Sequence, residues 1–144
     1  MKNKNTKKGR ILWIDDSINR FALTPYVDEF EDSGYEVVRA ENPDEADGIL
    51  AVRQDFQCII VDLVMPRGEK ISCGESRGGM RTGLVVIKKF IANPALDHAK
   101  KVMCTIMNDA AVRDYCVSRR IPYMEKQRFL PDAFVREIEK IIRG

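Results

Sequence analysis

The chain has 144 residues, 44% hydrophobic and 32% charged, which suits one globular domain with a single core. A formal net charge of +2 is too small to argue for nucleic acid. No apolar run is long enough for a membrane helix, and none follows the basic N-terminus to make a signal peptide.

Positive charge gathers at the start, in Lys2, Lys4, Lys7, Lys8 and Arg10, and residues 1–9 read as a flexible basic tail ahead of a domain over 10–144. "RILWI", 10–14, is an apolar run of strand length. Thr24-Pro25 reads as an N-cap and first turn of a helix carrying Tyr26, Val27 and Phe30 on one face. "YEVVRA", 35–40, is a second strand, followed by a helix over 42–54 capped by Asn42, with Ala46, Ile49 and Leu50 aligned. "QCIIV", 57–61, is a third strand. A helix over 83–93 carries Leu84, Ile87 and Ile91. "KVMCTI", 101–106, is a fourth strand, and the helix after it, 109–120, has Asn108 as cap and Val112, Tyr115 and Cys116 inward. "IPYME", 121–125, is a fifth strand before a helix over 131–143 built on Phe134, Ile138, Ile141 and Ile142. The strands are apolar throughout rather than alternating, as expected of a parallel sheet covered on both faces.

The cysteines Cys58, Cys73, Cys104 and Cys116 form no CxxC pair and have no histidine at metal spacing. Three lie in apolar stretches and read as core thiols, so a reducing cytoplasm is expected.

Five β-α units make an α/β, doubly wound sheet, in which sites form at the carboxyl ends of the strands. The first strand ends in Asp15-Asp16 and the third in Asp62; Thr105 lies near the end of the fourth, and the fifth ends at Glu125-Lys126. Crowded carboxylates repel one another unless a cation joins them. A hard, oxygen-liganded ion such as Mg²⁺ meets that need. One carboxylate then serves as a nucleophile toward phosphorus, with a lysine neutralising the phosphoryl oxygens.

These residues, in this order, resemble the receiver domain of two-component response regulators over about 9–143. "ILWIDD" is similar to the family's first strand and acidic pair, "IIVDLVMP" to its phosphoacceptor strand, "VMCTI" to its Thr/Ser strand and "YMEK" to its fifth strand. The resemblance implies a flavodoxin-like fold of five parallel strands and five helices, with Asp62 as phosphoacceptor. Asp15, Asp16, Asp62 and the backbone carbonyl of Val64 would hold Mg²⁺. Thr105 and Lys126 would contact the phosphoryl group, and Thr105 and Tyr123 would form the switch. It also implies a single-domain phosphoacceptor rather than an enzyme: a histidine kinase or phosphotransfer protein as donor, a protein partner for output, no nucleic acid or membrane, and a monomer or weak homodimer.

The sequence departs from the family pattern in places. Gln127 stands where proline commonly follows the lysine, and the angle of the next loop and the reach of Lys126 should change with it. Ile106, where the family is often small, should narrow access to the phosphoryl group, with apolar Val64 and Met107 beside it. "RGEKISCGESRGGMRTG", 67–83, replaces a short turn. Its residues 67–82 read as a Gly-rich insertion, either a mobile surface loop or a lid beside Asp62, with Cys73 as an exposed thiol. The alternative to phosphorylation is a pseudo-receiver that binds protein without it. An aspartyl phosphatase is disfavoured, because Val64 stands where its second aspartate would.

Overall fold

The computed structural model describes residues 8–144. Five strands, β1 (Gly9–Ile14), β2 (Tyr35–Ala40), β3 (Cys58–Val61), β4 (Lys100–Thr105) and β5 (Tyr123–Glu125), pair in parallel in the order β2-β1-β3-β4-β5. Six helices cover the sheet: α1 (Thr24–Asp32), α2 (Pro43–Val52), α3 (Cys73–Ser76), α4 (Thr82–Val85, running on as a π-helical turn over Val86–Phe90), α5 (Ala110–Ser118) and α6 (Pro131–Arg143). The expected tail lies outside the described residues up to position 7. Lys8 and Gly9 belong to the fold: the Lys8 amide donates to the Gly34 carbonyl at 2.8 Å and Gly9 opens β1.

Strand geometry sends successive side chains to opposite faces, and continuous apolar runs therefore feed two cores. Leu12, Ile14, Ile59, Val61 and Met103 enter one, closed by Ala46 and Leu50 of α2, the buried side of α4, and Val112 and Cys116 of α5. Ile11, Trp13, Cys58, Ile60, Val102 and Cys104 enter the other, closed by Val27 and Phe30 of α1 and Phe134, Val135 and Ile138 of α6. There Trp13 stacks on Phe134, ring centroids 5.6 Å apart, and meets Phe30 edge-on at 6.0 Å. Cys58, Cys104 and Cys116 are buried as expected and Cys73 is exposed.

The helix ends differ from expectation in two places. Thr24 is not the cap of α1. The turns over 17–23 already run in helical sense, so Leu23 takes that position and its carbonyl accepts from the Tyr26 and Val27 amides. Thr24 Oγ1 instead donates back to the Arg20 carbonyl at 3.1 Å. Asp109, not Asn108, caps α5, accepting from the Val112 amide at 3.3 Å, while Asn108 Oδ1 accepts from Arg113. Asn42 caps α2 as read, accepting from the Glu45 amide at 2.9 Å. The helix expected over 83–93 begins at Thr82 and widens to π geometry at Val86, where the Ile91 amide reaches the Val86 carbonyl.

Residues 67–82 do not hang as a loose loop. Ile71, Ser76 and Thr82 are buried, and a capping box joins Ser72 and Glu75 at the start of α3. One end of the segment is tied to α2, where the Glu69 amide donates to Asp44 Oδ2 at 3.0 Å and Lys70 pairs with Asp47.

Candidate functional site

Main-chain hydrogen bonds carry the sheet one residue past its strands, and three of the candidate site residues stand there. The Asp15 amide donates to the Ala40 carbonyl, the Asp62 amide to Ile14, and the Lys126 amide to Thr105, each at 2.9 Å. Side chains fixed this way need little further positioning. Asp15 is fully buried and Asp62 nearly so. Lys126 Nζ lies 2.7 Å from Asp15 Oδ2 and 3.1 Å from Asp62 Oδ2. The Lys126–Gln127 bond is trans and Gln127 takes φ 65°, yet the ammonium still reaches both acids.

Asp15, Asp16 and Asp62 each bring one carboxylate oxygen within 4.8 Å of the others. Asp15 Oδ1 accepts from the Ser17 amide at 2.8 Å. Its Oδ2 is buried and has the Lys126 ammonium, 2.7 Å away, as its partner. Burial first, and the Asp62 charge second, push the Asp15 carboxyl above its ordinary range. Burial lowers the affinity of Lys126 for its proton, but hydrogen bonding to Asp15 and the charges of both acids outweigh it and hold the ammonium above its usual value. Three carboxylates that each turn one hard oxygen donor toward a common point suit a small divalent cation.

Thr105 is buried at the end of β4, its Oγ1 accepting from the Met107 amide at 3.2 Å. Tyr123, half-buried on β5, donates its hydroxyl to the Met107 carbonyl at 2.5 Å. The Arg113 guanidinium stacks on its ring, 4.5 Å from the centroid. Thr105 and Tyr123 line one cavity of about 140 Å³. Val64 lines a larger cleft of about 600 Å³ with Asp16, Arg67, Cys73, Gly79 and Met80, so the insertion forms a wall beside the acids. Ile106 is 69% exposed on the rim, while Val64 and Met107 pack against the core.

Two features escaped the reading of the sequence. Gly83 lies so close to β3 that a Cβ there would meet the Asp62 carbonyl oxygen at 2.0 Å, and its amide donates to the Leu63 carbonyl at 2.8 Å. A glycine opening a helix just after a long loop was the available signal. The second feature is the pair Arg81–Asp109, with Nε and Nη2 donating to the two carboxylate oxygens at 2.8 and 3.1 Å. Nothing in the spacing of residues 28 apart announces it.

No protein-family model matches the chain, and no curated protein matches it in sequence. Solved structures do match in fold. A CheY-like response regulator receiver domain protein from Methanospirillum hungatei superposes with a TM-score of 0.67 at 20% identity, over 96% of this chain and 94% of that one. A response regulator from Desulfuromonas acetoxidans gives 0.66 at 18% identity, covering 94% and 97%. One from Burkholderia pseudomallei, with a phosphorylated aspartic acid, a calcium ion and citrate, gives 0.65 at 22%, covering 92% and 72%. Five parallel strands with helices on both faces, and acids at the strand ends, thus place this chain in the receiver fold.

Proposed function

We propose that the chain is the phosphoacceptor of a two-component phosphorelay, taking a phosphoryl group on Asp62 from a histidine kinase or histidine phosphotransfer protein and signalling to a protein partner. The observation that carries this reading is the Lys126 ammonium lying between Asp15 and Asp62 at the strand ends, with Asp16 beside them. A carboxylate attacks phosphorus only if the negative charge around it is offset. Asp15, Asp16, Asp62 and the Val64 carbonyl would hold Mg²⁺, which when bound supplies positive charge against the acids and the phosphoryl oxygens.

In the transfer, an Asp62 carboxylate oxygen forms the bond to phosphorus as the donor's P–N or P–O bond breaks and the donor keeps that electron pair. Lys126 then shifts its ammonium from the carboxylates toward the new phosphoryl oxygens. The Thr105 hydroxyl accepts from the Met107 amide, which leaves its own proton free to donate to a phosphoryl oxygen. Because Tyr123 holds the carbonyl of that same Met107, motion of Thr105 bears on the aromatic position. This is single transfer rather than turnover of a substrate. The free thiols suit a reducing compartment such as the cytoplasm.

Acetyl phosphate and Mg²⁺ should add one phosphoryl group to the wild type, seen by intact-mass spectrometry, and none to Asp62→Asn. An unmodified wild type would instead leave a module that binds protein without phosphorylation.

A further inference from the structure

The Arg81–Asp109 pair joins the loop that follows the proposed phosphoacceptor to the loop that follows Thr105. Arg81 sits between anchored neighbours. Its amide donates to the Ser76 carbonyl at 2.7 Å, closing the turn after α3. Thr82, fully buried, donates its hydroxyl to the Met65 carbonyl at 2.8 Å, and Gly83 abuts the Asp62 backbone. Arg81 therefore has little freedom of its own.

Asp109 is equally committed. It caps α5 through the Val112 amide, and its own amide points to the Tyr123 hydroxyl at 3.5 Å. That hydroxyl donates to the Met107 carbonyl, and the Met107 amide donates to Thr105 Oγ1. A chain of contacts thus runs from the insertion, through a bidentate ion pair, to the Thr105 hydroxyl at the end of β4. The Arg81 and Asp109 side chains are only 21% and 23% exposed, so solvent screens the pair less than it would a surface pair. The hydrogen bond from Arg81 also holds the Asp109 carboxyl below its ordinary range. A guanidinium fork fits both oxygens of a carboxylate, whereas an ammonium offers a point charge without that direction.

We infer that Arg81 is a positioning residue: by gripping Asp109 it fixes the loop carrying Thr105 and Tyr123, and it makes the folded insertion part of the switch. This inference rests on the phosphoacceptor reading above. It assigns the insertion a task other than covering Asp62. Thr105 turns toward a phosphoryl oxygen from the place its loop gives it, so the grip of Arg81 keeps that hydroxyl positioned for the transfer.

The test uses the full chain with Arg81→Gln, Arg81→Lys, Asp109→Asn and the Arg81→Gln/Asp109→Asn double variant. Asparagine caps helices about as well as aspartate, so Asp109→Asn keeps α5 started. Three readouts are taken: the rate of labelling by acetyl phosphate, Mg²⁺ affinity and amide hydrogen exchange. Arg81→Gln and Asp109→Asn should each lower the labelling rate by roughly ten-fold, as a loosened positioning contact does. Mg²⁺ affinity should hold, because Asp15, Asp16 and Asp62 are untouched. The double variant should be no worse than either single one, and Arg81→Lys should rescue only in part. Exchange should quicken at 107–112 and 123 in Arg81→Gln, with or without a phosphodonor.

Unchanged labelling in both single variants, additive losses in the double variant, or an equal fall in Mg²⁺ affinity would overturn the inference. If the wild type takes no label, the phosphoacceptor reading fails, and the exchange data still decide whether Arg81 holds the loop.

Discussion

The acid site and the insertion beside it are both ordered, but by different means. Asp15, Asp62 and Lys126 are placed by main-chain bonds that extend the parallel ladder, over a core of fully buried strand residues. The insertion is placed by side chains: one buried isoleucine, two buried hydroxyls, a capping box and ion pairs at its ends. The first kind of order is shared with the whole sheet and is lost only when the sheet is lost. The second rests on a few contacts, each open to substitution. The acids are thus fixed to the scaffold, and the insertion is fastened beside them by contacts that single substitutions can remove.

Gly83 is where the two regions touch, and Gly83→Ala should give the largest effect. The added Cβ would stand 2.0 Å from the Asp62 carbonyl oxygen and 2.8 Å from its carbon, and backbone cannot yield as a side-chain tip does. Overpacking against backbone should cost about 3 kcal/mol. Denaturant melts should show that loss, with weaker Mg²⁺ binding as the end of β3 is displaced. Wild-type stability in this variant would mean that the start of α4 does not bear on Asp62.

Ile71→Ala sharpens the contrast from the other side. Ile71 is 1% exposed and belongs to the core beneath α2 and α4. Emptying such a site costs about 2–3 kcal/mol when the segment unfolds with the rest. A global melt reduced by that amount makes the insertion part of the cooperative fold. A null result, with rapid exchange confined to 67–81, would make it a separately opening flap.

The strands, the sheet class and the acid set were legible because each rests on a local signal: apolar runs of strand length, and a carboxylate at the end of each of two such runs. β2 runs over 35–40 as read, β1 and β3 differ by one residue at one end, β4 is shifted by one residue at both ends, and β5 begins two residues later than read. The insertion was harder. Five glycines across 67–83 suggest mobility, yet the capping box at Ser72 and Glu75 and the buried Ile71 give it structure. Ile71 is a lone apolar residue among polar ones and shows no periodicity. Arg81 and Asp109 read as ordinary surface charges, because their meeting depends on how two loops cross in space. The cap of α5 went to the wrong neighbour for a similar reason: Asn108 and Asp109 both suit a cap, and the structure gives that place to the residue that Arg81 also grips.

Acid should move the two regions in opposite directions. Asp15 has a raised folded pKa, so folding disfavours its ionised form. That penalty is complete above the folded pKa and fades as pH falls through it toward the unfolded value. The shift is upward despite the Lys126 pairing, so burial and the Asp62 charge prevail. Asp15→Asn should therefore raise Tm at neutral pH, by a margin that shrinks on acidification. Asp109 has a lowered folded pKa. Its stabilisation is complete above the unfolded value and is lost as pH falls through the folded one. Asp109→Asn should therefore lower Tm at neutral pH, and that deficit should close under acid. Mg²⁺ should raise Tm for the wild type and for Asp109→Asn but not for Asp15→Asn. Parallel pH profiles for the two variants would contradict the opposed electrostatics of site and insertion.

The smallest effect is expected at the outer fastening of the insertion. Lys70 pairs with Asp47 of α2, but the two side chains are 61% and 39% exposed. Water and salt screen such a pair, and holding a long lysine in one rotamer offsets much of what attraction remains. The neighbouring bond from the Glu69 amide to Asp44 fastens the same stretch without any mobile side chain on the donor side. Lys70→Ala should therefore leave Tm within measurement error in moderate salt, and the labelling rate unchanged, because this end of the segment is remote in sequence from Arg81. Asp44→Ala should do more than Lys70→Ala, since it removes the bond from the Glu69 amide. If Lys70→Ala instead alters labelling as strongly as Arg81→Gln, the insertion is gripped as one rigid strap from α2 to α5, and its response cannot be assigned to the Asp109 end alone.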